Sequence, residues 1–250
     1  MSLETAIDAV EWAYNNLKIK KEKGWISEKE KTSVFFFGGE PMLMFDSVIK
    51  PLIEYIKEKK YDIGFGITTN GTLLNEEKIK FLYDNKVGFL LSIDGFKATQ
   101  DYNRPCQNGE SSFDKIYSNI PILLKYYPQV TFRSTIYEDT VEHCFENYLF
   151  AEKMGFKSYF CVPDVLTSKW EQNKLDVLKE QIHKIFEYRF LQYSNNQIPM
   201  KFSREMDCLR EIKNFILENN NDNNNCDPLN RCGLGIGLGA IGYNGNIYGC

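Results

Sequence analysis

The feature that most constrains this chain is a recurrence. Short continuous apolar runs each end on glycine or a polar residue, and each is followed by a stretch with the three-to-four spacing of an amphipathic helix. Val34-Phe35-Phe36-Phe37 stops at Gly38-Gly39 and leads into a helical pattern over 46–60. The same unit returns as 63–69 with 76–85, 88–93 with 113–126, 130–137 with 141–154, and 157–162 with a long helix over 171–193. Strands that lack the polar-apolar alternation of a half-exposed sheet are expected to be buried on both faces. Strands alternating with helices require right-handed crossovers and hence a parallel sheet, either open and doubly wound or closed into a (β/α) barrel. Both architectures place function at the carboxyl ends of the strands.

The flanks of this repeat are different. Residues 2–20 carry Ile7, Val10, Tyr14 and Leu17 behind Ser2 as the expected cap, so the chain opens on a helix. Beyond 193 a further helix is expected over 204–217, then a low-complexity asparagine stretch, 219–225, that reads as a linker. Residues 240–250 read as a hairpin turning at Asn244-Gly245.

Length and composition bound the chemistry. At 250 residues with 43% hydrophobic content the chain can bury a substantial core. A net charge of -4 offers no positive field for a phosphate backbone, so nucleic acid is not the expected partner. No apolar run approaches the roughly 20 residues that span a bilayer, and the amino terminus is no signal peptide; the expected compartment is the cytoplasm. The two histidines, His143 and His183, sit in polar helical stretches and are expected at the surface. Of seven cysteines none precedes Cys106, whereas Cys226, Cys232 and Cys250 crowd the last 25 residues. In a cytosolic chain such crowding points to metal ligation more than to disulfides. Cys106, Cys144, Cys161 and Cys208 lie singly and are expected to act as small apolar residues.

The strand ends hold the conspicuous residues: Gly38-Gly39-Glu40, Thr69-Asn70-Gly71 and Asp94-Gly95. Two glycines let a ligand approach the backbone closely, and the following carboxylate would suit an ammonium group, although a tight strand-to-helix turn with a solvated glutamate fits the same residues. Their joint order is more specific than any one of them. FFFGGEP (35–41), TTNGTLL (68–74), SIDG (92–95) and QDYNRP…NGESSFD (100–114) resemble the successive strand-end signatures of radical S-adenosylmethionine (SAM) enzymes, in particular the SPASM subgroup, which includes anaerobic sulfatase-maturing enzymes and peptide maturases.

That resemblance implies an α/β fold, a partial (β/α)6 barrel of the TIM-like radical SAM type without its first strand, followed by the start of a SPASM domain. Five barrel strands are expected within 1–195, a helical linker region over 196–225, and the auxiliary-cluster domain from 226 to 250. By the same resemblance Gly38, Gly39 and Glu40 would hold the SAM amino group, Ser92 and Asp94 would face its ribose and amino-acid end, and Asn70 would belong to the same site. Arg133 is the expected partner of the SAM carboxylate, since a guanidinium binds a carboxylate through two parallel hydrogen bonds.

The tail supplies a second match. Cys226, Cys232 and Cys250, in the order C-x5-C-x12-G-x4-C, resemble the opening of a SPASM domain, whose cysteines bind an auxiliary [4Fe-4S] cluster. From spacing alone a zinc ribbon is an equal rival; the upstream motifs favour iron and sulfur. The family's C-x3-C-x2-C loop is absent from these residues and would lie upstream of residue 1, so the chain as written is expected to be inactive, with an unpaired strand edge. The complete enzyme would cleave SAM reductively, with electrons from a donor such as flavodoxin or ferredoxin, and abstract hydrogen from a peptide or protein substrate. The alternatives are a paralogue that binds peptide or SAM without turnover, and a (β/α)-barrel protein with a zinc-stabilised tail.

Overall fold

A computed structural model describes residues 1–205 and 239–248. Strands β1 (Thr32–Phe36), β2 (Ile63–Thr69), β3 (Val87–Ser92), β4 (Thr131–Ile136), β5 (Ser158–Pro163) and β6 (Lys201–Phe202) form one sheet in that order. The pairs β1–β2, β3–β4, β4–β5 and β5–β6 are parallel. Among the described residues the sheet does not close. Sequence order equals spatial order, as expected when each strand is carried to the next by a right-handed helical crossover. The sixth strand falls in the stretch expected to be linker: two residues carry no readable period.

Eight α-helices are described: α1 (Leu3–Glu22), α2 (Lys50–Glu58), α3 (Glu76–Asp84), α4 (Lys97–Asn103), α5 (Ser112–Tyr117), α6 (Ile120–Tyr126), α7 (Cys144–Lys153) and α8 (Gln172–Ser194). Helix α1 starts at Ser2, whose hydroxyl accepts the Thr5 amide at 3.1 Å and satisfies one of the orphan donors of the first turn. The single helix expected over 113–126 is instead two, α5 and α6. Pro121 lacks the amide hydrogen that would continue the ladder, and its ring clashes with the preceding turn, so a new helix starts around it. Helix α4, unmarked by any apolar period, was not expected.

The chain divides into two compact units, Met1–Ile67 with Asn85–Gly88 and Phe215–Cys250, and Thr68–Asp84 with Phe89–Asn214. In the first, Ala6 and Val10 of α1 and Val48, Leu52 and Ile56 of the α2 region pack with Ile63 of β2. Tyr14 stacks on Tyr61 at 4.0 Å, and the Glu11 carboxylate accepts the hydroxyls of Tyr55 (2.7 Å) and Tyr61 (3.0 Å). That carboxylate, by holding the phenol proton in place, pushes the Tyr55 pKa up to about 12. Strand β1 corrects the expectation of a strand buried on both faces: Phe35 is 68% exposed and Phe37 76% exposed. Helices α1 and α2 cover only the face bearing Val34 and Phe36. On the other face the Phe35 ring lies against Gly66, where a Cβ would meet it at 2.3 Å.

In the second unit the helix-side face of the sheet is aromatic. Phe132 of β4 meets Phe156 edge-on at 5.1 Å and stacks on Tyr159 of β5 at 5.4 Å, which in turn meets Tyr148 of α7. Cys144 and Cys161 are buried here and share a hydrogen bond that, with burial, pushes the Cys144 thiol pKa up. His143 and His183 lie at the surface beside Glu146 and Glu187. The hairpin near the end is present as β7 (Ala240–Ile241) and β8 (Ile247–Tyr248). The Gly242 carbonyl accepts the Gly245 amide, and Gly245 adopts φ +80°, which glycine does without a Cβ penalty. Almost all of the helix expected over 204–217, the asparagine stretch, and Cys208, Cys226, Cys232 and Cys250 lie outside the described residues.

Candidate functional site

The expected site residues are distributed over both units and are described unit by unit. In the first, the chain leaves β1 through Gly38 (φ +94°) and Gly39 (φ +40°), consecutive residues in the left-handed region that glycine alone enters readily. No atom lies within 4 Å of where either Cβ would stand, so conformation rather than crowding requires them. Glu40 follows, half-buried, and its carboxylate accepts the Met42 amide at 3.0 Å at the start of a short 3-10 turn, Pro41–Met44. Exposed backbone beside a fixed carboxylate suits an ammonium group.

In the second unit, Thr69-Asn70-Gly71 forms a turn braced by its own side chains. The Thr69 hydroxyl accepts the Gly71 amide, and the Asn70 side chain accepts both the amide (3.0 Å) and the hydroxyl (2.7 Å) of Thr72. Gly71 adopts φ +78°, the left-handed region that glycine enters without a Cβ penalty, and a Cβ there would also press on the Leu91 side chain. Asn70 therefore acts first on its own loop.

Ser92 and Arg133 stand together. They are register partners across β3 and β4, and Arg133 is in turn the register partner of Phe160 on β5. Partners in a parallel ladder project to the same face, and this row lies opposite the face of Phe132 and Tyr159 that the helices cover. The Arg133 guanidinium sits over the Phe160 ring at 5.6 Å, a cation-π contact that holds it without using its N–H donors. Among the described residues no carboxylate pairs with Arg133 and no hydrogen bond engages the Ser92 hydroxyl. A half-buried serine, a half-buried arginine and an aromatic platform in one row make a fit for a small anionic group such as an amino-acid carboxylate.

Asp94 is placed differently from its neighbours. It is fully buried, and Arg104 grips it with Nε to Oδ2 at 2.8 Å and Nη2 to Oδ1 at 3.1 Å. The Thr135 amide also donates to Oδ1 at 2.9 Å. The Asp94 amide donates to Gln100, and its carbonyl accepts the Ser134 hydroxyl. Next to it, Gly95 leaves room for the Asn147 carboxamide, which a Cβ would meet at 1.9 Å and which accepts the Phe96 amide.

Helix α4, which carries Gln100, also carries Asp101. The Asp101 carboxylate accepts the Phe113 amide (2.9 Å) and the hydroxyls of Ser111 (2.7 Å) and Ser112 (3.3 Å), with Lys97 at 3.7 Å. Burial pushes its pKa up, but the Phe113 amide, Ser111 and Lys97 outweigh that and leave it below the usual value. The segments QDYNRP and NGESSFD are thereby explained together: one side chain of the first caps the helix begun by the second, and another grips SIDG. Arg104, Gln100, Asp101, Asn147 and Phe160 received no role from sequence. The first three lay in quoted motifs; for Asn147 and Phe160 no local signal existed.

Comparison with known proteins gives the family. The radical SAM superfamily matches residues 11–150, more than half of the chain, and the chain belongs to that superfamily. A cysteine-type anaerobic sulfatase-maturating enzyme of Clostridium novyi is 31% identical over 141 residues, 55% of this chain and 38% of the relative. The radical SAM cyclopropyl synthase TigE of Paramaledivibacter caminithermalis is 24% identical over 178 residues, 70% of this chain and 37% of the relative. Among solved structures, anSMEcpe with bound AdoMet superposes with a TM-score of 0.57 at 23% identity, covering 70% of this chain and 50% of that one. Streptococcus suis SuiB superposes with a TM-score of 0.50 at 15% identity, covering 81% and 42%. These likenesses show the shared fold, and the chain spans half or less of each relative's length.

Metal centres are a separate matter. Among the described residues no group of three or more His, Cys, Asp and Glu side chains gathers as a metal site, and the three cysteines expected to hold a cluster lie outside them. Nor does any described helix have the length and apolarity to cross a membrane.

Proposed function

We propose that the complete protein is a radical SAM maturase that binds S-adenosylmethionine and acts on a peptide or protein. The observation that carries this reading is the row Ser92–Arg133–Phe160 on the uncovered face of the sheet, two donors without a hydrogen-bond partner among the described residues, beside an aromatic surface. In this reading Arg133 and Ser92 hold the SAM carboxylate, and Gly38, Gly39 and Glu40 hold its ammonium group through backbone and carboxylate acceptors. Asn70 keeps the turn after β2 in shape. SAM, once bound and reductively cleaved, supplies the radical that removes hydrogen from substrate; the protein's residues orient it and exclude competing reactions. The peptide class is supported by the sulfatase-maturating relatives, and by the peptides bound in structures of anSMEcpe. Cys226, Cys232 and Cys250 belong to the same proposal as ligands of an auxiliary [4Fe-4S] cluster in a domain beginning near 226, with a flavodoxin or ferredoxin as electron donor.

The test is anaerobic reconstitution of the full-length gene product with iron and sulfide, reduction with dithionite in the presence of SAM, and chromatography of the products. Release of 5′-deoxyadenosine is expected. A reconstituted, reduced protein that binds SAM and releases none would favour a binding paralogue, and one that binds no SAM would overturn the proposal.

A further inference from the structure

We infer that Asp94 serves the site as the anchor of a clamp and not as a cofactor ligand, and that Arg104, Gln100 and Asn147 are positioning residues that keep Ser92 and Arg133 in register. The inference rests on the reading of those two side chains as a carboxylate site.

Between β3 and β4 the ladder pairs only Leu91 with Phe132 and Ser92 with Arg133. Immediately beyond that short ladder, alignment passes to Asp94. The Ile93 amide donates to the Arg133 carbonyl at 2.9 Å, the Ser134 hydroxyl donates to the Asp94 carbonyl at 2.8 Å, and the Thr135 amide donates to the Asp94 carboxylate. One residue of β3's end thus bonds the two positions of β4 that follow Arg133. Its carboxylate is fixed in turn by two bonds from Arg104, its amide is taken by Gln100, and the chain just after it is held by Asn147.

A carboxylate with no exposure, already accepting three N–H groups, has no face to offer a ribose hydroxyl. A buried anion deprived of the one cation that pairs with it among the described residues, by contrast, must move or draw in water, and the strand end moves with it. Arg104 itself stays partly exposed, 31% at the side chain, so its removal need not open the core.

The test compares the full-length protein with Arg104→Gln, Asp94→Asn and the double variant, reading SAM affinity by equilibrium dialysis and exchange of the amides at 93–96 and 133–135 by hydrogen–deuterium mass spectrometry. Arg104→Gln alone should speed exchange in both segments and weaken SAM about tenfold or more, the range typical of outer-shell partners. Asp94→Asn with Arg104→Gln leaves no buried charge, and the carboxamide introduced at position 94 can still accept from the Thr135 amide. The double variant should recover slow exchange and most of the affinity. A double variant that regains slow exchange but not affinity would show Asp94 touching the ligand and overturn the inference. So would unchanged exchange in Arg104→Gln, whatever SAM does. Should Arg104→Gln not fold, Arg104→Lys keeps the charge with poorer geometry and should show the same loss in smaller measure. Wild-type protein that binds no SAM would remove the functional reading, while the exchange data judge the clamp alone.

Discussion

At the scale of single residues, polar side chains near the strand ends divide into those that bond the protein and those that do not. Asp101 shows the first kind. Its pKa is lowered in the folded protein, so its stabilising contribution is complete at neutral pH and disappears as pH falls below the unfolded value of 3.8 and through the lower folded one. Replacement by Asn should cost about 1 kcal/mol at pH 7, the scale of a helix cap. Urea unfolding at pH 7 and pH 3 checks this: the gap between wild type and Asp101→Asn should narrow at the lower pH, and a gap that widens would contradict it. Ser92 and Arg133 show the second kind. Sequence nominated Ser92, Asp94 and Arg133 from their places in the strands, but could not sort them, and it gave Asp101 no role. The sorting depends on Arg104 and Thr135 reaching Asp94 from 10 and 41 positions away, distances at which no local pattern operates.

At the scale of elements, what was legible followed from period and length. The long runs gave β2 to β5, and α1, α3 and α8 lie within one or two residues of their expected bounds. The failures have physical causes: α5 and α6 are separated by Pro121, α4 has no apolar stripe, β6 is too short to show alternation, and β1 is covered on one face only. The Ser2 cap was readable because an N-cap is a purely local interaction. Ser2→Ala should lower stability by about 1 kcal/mol through loss of the bond to the Thr5 amide. Thermal unfolding followed by circular dichroism reads this as a lower midpoint, and an unchanged midpoint would mean that the first turn is satisfied by water.

At the scale of the whole molecule, the conspicuous residues after β1, β2 and β3 each follow the carboxyl end of their own strand, the usual location of function in α/β proteins. That inference needed only the alternation of patterns, and membership of the radical SAM superfamily accords with it. The tail depends on different chemistry. If Cys226, Cys232 and Cys250 hold an iron–sulfur cluster, replacing all three with Ser should lower the iron bound per anaerobically purified full-length chain by about four atoms, the content of one [4Fe-4S] cluster. Stoichiometric zinc without iron in the wild type would instead establish the zinc ribbon.

The site reading turns on whether Arg133 meets the carboxylate of S-adenosylmethionine. Equilibrium binding of SAM and of decarboxylated SAM, to wild type and to Arg133→Met, asks this directly. Wild type should prefer SAM about tenfold or more, as expected for a charge-assisted pair, and Arg133→Met should bind the two compounds alike. Equal affinities in the wild type, or a preference that survives in Arg133→Met, would contradict the assignment.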